Sequence, residues 1–259
     1  MQAAGSIPRS DQNRALVLST IAFTACFAVW TIFSIIGVTI KDDLGLTDTQ
    51  FGLLVATPIL TGSLTRLFLG VWTEKYGGRL VFSFQMLLTA LATWALTWAS
   101  SYPAYLLAAL GIGLAGGSFI IGVAYVSRWY DAGHQGTALG VFGAGNVGAA
   151  VTKFVAPFVL VAYGWEAVAH VWAIGLAVVA VLFFLLAKDD PQLVARHKSG
   201  VKAPSLAQQF EPLQNLQVWR FSLYYFFVFG AFGALALWLP HYLIDVYGVD
   251  VKTAGMAAA

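Results

Sequence analysis

Seven runs of mostly apolar residues, near 15–39, 51–73, 80–99, 104–127, 137–161, 169–187 and 219–241, leave this chain few ways to fold. About twenty such residues are what an α-helix needs to cross the hydrocarbon of a bilayer. The breaks between the runs are short and carry charges or turn residues: Lys41-Asp42-Asp43, Glu74-Lys75, Ser101-Tyr102-Pro103, Arg128 to Gln135 and Gly164-Trp165-Glu166. A single water-soluble core could not take up this much apolar surface. Hydrophobic residues make up 59% of the chain and charged residues 10%, against roughly 25% charged in a soluble domain. The expectation is an all-α polytopic membrane protein with the lipid bilayer as its solvent. A net charge of +2 gives no reason to expect a nucleic-acid partner. The lone Cys26 lies in an apolar run and offers neither a disulfide framework nor a metal site. Residues 1–14 are polar and the following run is long enough to span, which speaks against a cleaved signal peptide.

Basic residues predict the orientation. With the N-terminus cytoplasmic, Arg9, Arg14, Lys75, Arg79, Arg128, Lys188, Arg196, Lys198, Lys202 and Arg220 fall inside. Only Lys41 and Lys252 fall outside, and Arg66 and Lys153 lie within spans. The longest break, 188–218, reads as a polar cytoplasmic linker. A short repeat crosses it: residues 42–52 align without gaps on 245–255, matching Asp42, Gly45 and Gly52 to Asp245, Gly248 and Gly255. That fits two parallel six-helix halves, with 1–187 the first, 188–218 the linker and 219–259 the start of the second. On this division a complete second half needs further residues after Ala259, so the chain reads as a fragment.

Arg66 carries the most chemistry. It sits deep in the second run, where an arginine costs several kcal/mol unless it faces a cavity or a partner, and no Asp or Glu occurs within any run. A planar fork of donors on an unpaired guanidinium suits a planar oxyanion. The alternative is a structural pair with a carboxylate beyond residue 259. Lys153, in the fifth run, fits a coupling or electrostatic role in the same cavity, or equally a lysine stretching to the outer interface. Gly140, Gly143, Gly145 and Gly148 strip side chains from two adjoining helix faces and predict close helix packing around Asn146. Gly70, Glu74, Gly77 and Arg79 are expected in a gating loop between the second and third spans. Trp72, Tyr76, Trp129, Tyr130, Trp165, Trp219 and Tyr242 fall near span ends as interfacial anchors. Tyr225 and Phe229, four apart, read from spacing alone as core packing. His134, His170, His197 and His241 are scattered, so no catalytic centre, metal site or cofactor is expected.

With these residues in place, the chain resembles the nitrate/nitrite porters of the major facilitator superfamily. The resemblance rests on Thr-Arg66, Gly-Gly-Ser-Phe119, the Gly-Ala-Gly-Asn146-Val-Gly tract ending in Ala-Pro157, and Tyr225 with Phe229-Gly-Ala-Phe. Gly70 to Arg79 is similar to the loop signature of the superfamily, with Glu74 in place of its usual Asp. The resemblance implies the major facilitator fold and a nitrate or nitrite anion held by two arginines and sandwiched by aromatic rings. It makes Arg66 the first arginine, Phe119 and Phe229 the rings, and Asn146 and Tyr225 polar neighbours, and puts the second arginine in an eighth span. Transport would run by alternating access in the inner membrane, as nitrate/proton symport or nitrate/nitrite exchange. The alternatives are a carrier for another small anion, such as an organic acid, or a truncated chain without transport of its own.

Overall fold

In lipid every backbone N–H and C=O must find its partner inside the chain, and helices do this segment by segment. The computed structural model describes residues 7–201 and 204–259; Lys202, and the side chain of His197, lie outside the described set. Among the described residues there is no strand. The first span is α1 (Arg9–Trp30) continued by α2 (Phe33–Leu44), and the second is α3 (Asp48–Tyr76). The third is α4 (Gly78–Ala95), prolonged by a 3-10 turn at Leu96–Trp98. The fourth joins α5 (Tyr102–Gly113) to α6 (Ser118–Ser127) through a 3-10 turn at Leu114–Gly117. The fifth joins α7 (Gln135–Gly143) to α8 (Gly148–Tyr163) through another at Ala144–Val147. The sixth is α9 (Trp165–Leu186). After α10 (Pro191–Ser199) and α11 (Leu206–Phe210), α12 (Leu216–Tyr247) makes the seventh span, and α13 (Val251–Ala258) follows it. Among the described residues seven helical spans are thus long and apolar enough to cross a membrane.

Residues 70–79 do not form a loop. Helix α3 runs through Tyr76, and Gly77 alone turns the chain into α4. Its φ of +85°, where a side chain would be strained, lets one residue make that reversal. The segment 188–218 is not a plain linker either. Asp190, fully buried, caps α10 by accepting from the Leu193 N–H at 2.8 Å, and Pro191 takes the first helical position.

The repeat has a structural counterpart. Gly45 and Gly248 both end a helix in the left-handed conformation, at φ +60° and +64°. Thr47 and Asp250 then cap α3 and α13 with their side chains. Gly52 and Gly255 both lie at close crossings, the first under the Trp238 ring and the second against the Lys153 carbonyl.

Helix α1 runs through the middle and packs on α6, α7, α8 and α9, so Phe23, Cys26 and Phe27 are buried. The outer face carries exposed Leu91, Leu107 and Leu185, an apolar surface suited to acyl chains. Two of the expected anchors turn inward instead. Trp129 packs edge-on to Tyr125 and Trp165 packs on Tyr105, and both tryptophans are buried.

Candidate functional site

Glycines set the seat of Arg66. Helix α3 crosses the 3-10 turn of the fourth span so closely that a Cβ on Gly62 would lie 2.9 Å from the Gly113 carbonyl and 3.0 Å from the Gly116 Cα. Trp30 closes the crossing: its ring covers Gly116, and its Nε1–H donates to the Pro58 carbonyl at 3.0 Å. The Gly116 carbonyl accepts from the Arg66 Nε–H at 3.1 Å. This anchors the guanidinium by one edge, and the Tyr225 hydroxyl lies beside the group. Arg66 is half-buried, and among the described residues it forms no ion pair with a carboxylate.

An aromatic wall flanks it. The Arg66 guanidinium lies 5.6 Å from the Phe229 ring centroid, within cation–π range. Phe229 stacks on Tyr225 at 5.1 Å and 8°, and Tyr225 stacks on Phe119 at 6.3 Å and 22°. Phe119, Tyr225 and Phe229 are therefore brought together with Arg66. The wall is larger than the sequence suggested. Trp30 stacks on Phe229 at 6.3 Å and 14°, and Phe27 meets both Phe229 and Phe232. Only the pairing of the first span with the seventh reveals these members.

Asn146 lies on another wall. Its amide N–H donates to the Gly143 carbonyl at 2.9 Å, and its Oδ1 is buried without a hydrogen-bond partner. With Lys153, Phe232 and Ala236 it lines a cavity of about 440 Å³ between the fifth and seventh spans. Lys153 is 4% exposed, and its ammonium donates to the Ala258 carbonyl at 2.9 Å. It does not stretch to an interface. The glycine tract divides by function. Gly145 packs against Phe23, and Gly148 against the Thr24 and Ala28 backbone. At Gly140 and Gly143 an added Cβ would meet nothing within 4 Å, so among the described residues these two pack against no neighbouring helix. The faces they occupy look away from α1, and helical spacing alone cannot distinguish a packed face from an open one.

At the bundle end that carries α10, Arg128 is the hub. Its guanidinium donates to the buried Asp190 carboxylate at 2.9 Å and pairs with Glu74. Arg196 reaches back from α10 to the Glu74 carbonyl, and Leu193 sits against Gly77. Arg79 pairs at the margin with Asp189 at 3.8 Å and donates to the Phe184 carbonyl at 2.9 Å. Gly70 has ordinary room, with Ile120 at 3.6 Å from an added Cβ. Arg128 and Asp190 were not singled out in sequence, although Asp-Pro is a helix-start signature.

Among the described residues, seven spanning helices, two cations in the middle without a carboxylate partner and a clamped, charged end define a multi-pass membrane protein. Residues 18–259 match the Major Facilitator Superfamily, and the chain belongs to that superfamily. It is 42% identical to a probable nitrate/nitrite antiporter of Thermus thermophilus, covering 97% of this chain and 58% of the relative. It is 33% identical to a nitrite extrusion protein of Bacillus subtilis (strain 168), over 96% and 61% respectively. A probable nitrate transporter of Staphylococcus epidermidis is 32% identical, over 93% and 60%. The chain thus spans about three fifths of the length of the curated relatives it matches. Its fold also matches a crystal structure of a bacterial homologue of the human lysosomal transporter Spinster, inward-facing and unoccupied. The TM-score there is 0.76 at 19% identity, over 96% of this chain and 59% of that one.

Proposed function

We propose that the full-length protein carrying this chain is an inner-membrane carrier that moves nitrate or nitrite by alternating access. In this reading 1–187 is the first six-helix half, 188–218 a cytoplasmic connection and 219–259 the start of the second half, with the N-terminus in the cytoplasm. The observation that carries it is Arg66: a guanidinium held by a backbone carbonyl and an aromatic face, with no carboxylate on it among the described residues. Charge-assisted hydrogen bonds from its free amino groups to two oxygens of a planar anion satisfy those donors. The rings of Phe119, Tyr225 and Phe229 line the space around that anion, and the names borne by the three relatives point to the same substrate. Asn146 lines the neighbouring cavity between the fifth and seventh spans and is a polar group for the anion's path. Glu74, Gly77 and Arg79 act with Arg128 and Asp190 as a cytoplasmic latch that closes and opens as the halves rock.

The test is nitrate uptake into proteoliposomes by the full-length protein and by Arg66→Lys. A lysine keeps the charge but loses the planar fork and the Nε–H bond to Gly116. Losing one charged hydrogen bond of about 1.5–3 kcal/mol lowers uptake at limiting nitrate by about 10- to 100-fold. Wild-type protein that ignores nitrate and nitrite, or a lysine variant with full activity, would overturn the assignment.

A further inference from the structure

We propose that Gln85 is a positioning residue for the anion site: from the third span it holds the 3-10 turn whose Gly116 carbonyl seats Arg66. The inference rests on the anion-carrier reading above and adds a residue that acts on the arginine through the turn between them.

The turn needs such a hold. A 3-10 turn inside a spanning helix interrupts the α-helical ladder, and a carbonyl left short there has no water to bond. The Ser118 N–H, which in an α-helix would reach the Leu114 carbonyl, donates to Ala115 instead. The turn reads Leu114-Ala115-Gly116-Gly117, so three of its four residues are too small to grip a neighbour with a side chain. Close packing imposes this: a Cβ on Gly116 would meet the Trp30 ring, and one on Gly117 would overlap Leu69. Hydrogen bonds must then fix the turn. Among the described residues its carbonyls accept two from side chains: the Gln85 amide donates to Leu114 at 2.9 Å, and the Arg66 Nε–H to Gly116 at 3.1 Å. Two carbonyls two residues apart are thus gripped, one from α4 and the other from α3.

Gln85 itself is locked. It is 2% exposed, and an amide buried in a span is costly unless its groups are used. A carbonyl only accepts, which puts the amide nitrogen toward Leu114. The same nitrogen donates to the Thr89 hydroxyl, one turn along α4, at 3.2 Å, so both of its N–H groups are used. The amide oxygen faces the Cys26 thiol of α1 at 3.8 Å, and Cys26 and Thr89 are both fully buried. Cys26, Thr89 and Leu114 together fix the rotation of the amide, and all of these contacts lie within the first four spans. A turn free to slide would carry the Gly116 carbonyl, and the guanidinium seated on it, out of register. A bidentate anion contact made by a planar fork is weakened by a displacement of about 1 Å.

The test is nitrate uptake into proteoliposomes by the full-length protein, from limiting to saturating nitrate, for wild type, Gln85→Met, Arg66→Lys and the double variant. Methionine keeps the length of the side chain but donates no hydrogen bond. Gln85→Met should raise KM by about 2- to 10-fold, the factor that one neutral hydrogen bond is worth, and largely keep the maximal rate per reconstituted protein. A glutamine that only stabilised the bundle would change the yield or melting temperature of the variant and leave KM where it was. In the Arg66→Lys background the seat is already lost, so adding Gln85→Met should change KM by less than about 2-fold. Thr97→Val deletes a hydroxyl contact to His170, 3.2 Å away at the end of the third span, and should keep the wild-type KM. If Gln85→Met does not reconstitute, Gln85→Asn, whose amide stops one methylene short of Leu114, takes its place with the same expected outcome. A wild-type KM in the Gln85 variant, or an undiminished effect in the Arg66→Lys background, would overturn the positioning role and leave the anion reading standing. Wild-type protein that moves neither nitrate nor nitrite would overturn both.

Discussion

Replacing Asp190 by alanine isolates the contribution of the clamp between α10 and the bundle. The Asp190 carboxylate is completely buried, accepts from Arg128 at 2.9 Å and caps α10 through the Leu193 N–H. The substitution removes one charge-assisted hydrogen bond and one helix cap, and it leaves Arg128, 7% exposed, with Glu74 as its remaining carboxylate. A charged hydrogen bond contributes about 1.5–3 kcal/mol and a cap about 1 kcal/mol, so the loss falls near the 3–5 kcal/mol typical of a broken buried pair. At roughly 2–4 °C per kcal/mol for a domain of this size, the melting temperature in detergent should fall by about 6–20 °C. Loss of monodisperse protein after heating, followed by size-exclusion chromatography, measures it. Arg128→Met should cost a similar amount. The double variant should be more stable than the sum of the two single effects implies, because neither partner's buried charge is then left without the other. A fall under about 2 °C for Asp190→Ala, or strict additivity, would show that α10 is not held by this pair.

Two glycines give opposite signs. Gly148→Ala forces a Cβ into the Thr24 and Ala28 backbone and should destabilise by about 1–3 kcal/mol, whereas Gly175→Ala, with open space around it, should stabilise by about 0.5–1 kcal/mol; melting of both variants checks it. Arg79→Ala breaks a partly exposed contact at 3.8 Å and should change stability by at most about 1 kcal/mol, well below Asp190→Ala in the same melt. Trp30→Phe keeps a ring beside Phe229 but deletes the Nε1–H bond to the Pro58 carbonyl, a second bond on an acceptor that keeps its helical partner, and should lower the melting temperature by the equivalent of about 0.5–1.5 kcal/mol.

How far these features can be read from sequence depends on the period each one imposes. A span declares itself through twenty consecutive apolar residues, and the seven runs reappear as seven helices with ends a few residues longer. Arg66 stands out because a charge at that depth is expensive, whatever surrounds it. Phe27 and Trp30 do not stand out, because aromatic residues in an apolar run look alike whether they face a neighbour or a cavity. Gly140 and Gly148 share one tract and one spacing, yet the first faces open space and the second the α1 backbone. That difference comes from the rotation of the fifth span, which its 3-10 turn at Ala144–Val147 sets. Asp190 was hidden by its neighbourhood: a polar stretch reads as linker, and only the fold brings Arg128 under it.

The distribution of ion pairs separates scaffold from site. At the two ends of the bundle several cations pair with carboxylates: Arg128 with Asp190 and Glu74, Lys188 with Asp11, Lys41 with Asp48. In the middle Arg66 is held by the Gly116 carbonyl and the Phe229 ring, and Lys153 by the Ala258 carbonyl. The choice of partner matters physically. A carboxylate on Arg66 would neutralise it and compete with any anion for the same donors. A carbonyl and a ring face orient the guanidinium through dipole and quadrupole while leaving its net charge intact. The carbonyl is available there because Gly62, Gly113 and Gly116 let α3 approach the 3-10 turn of the fourth span. An alanine at Gly113 would meet the Pro58 carbonyl and push α3 away, taking Arg66 with it. Gly113→Ala should therefore weaken anion binding, although residue 113 is placed on helix packing and not on the anion. Nitrate affinity at wild-type levels in a folded Gly113→Ala protein would show that the crossing does not position the arginine.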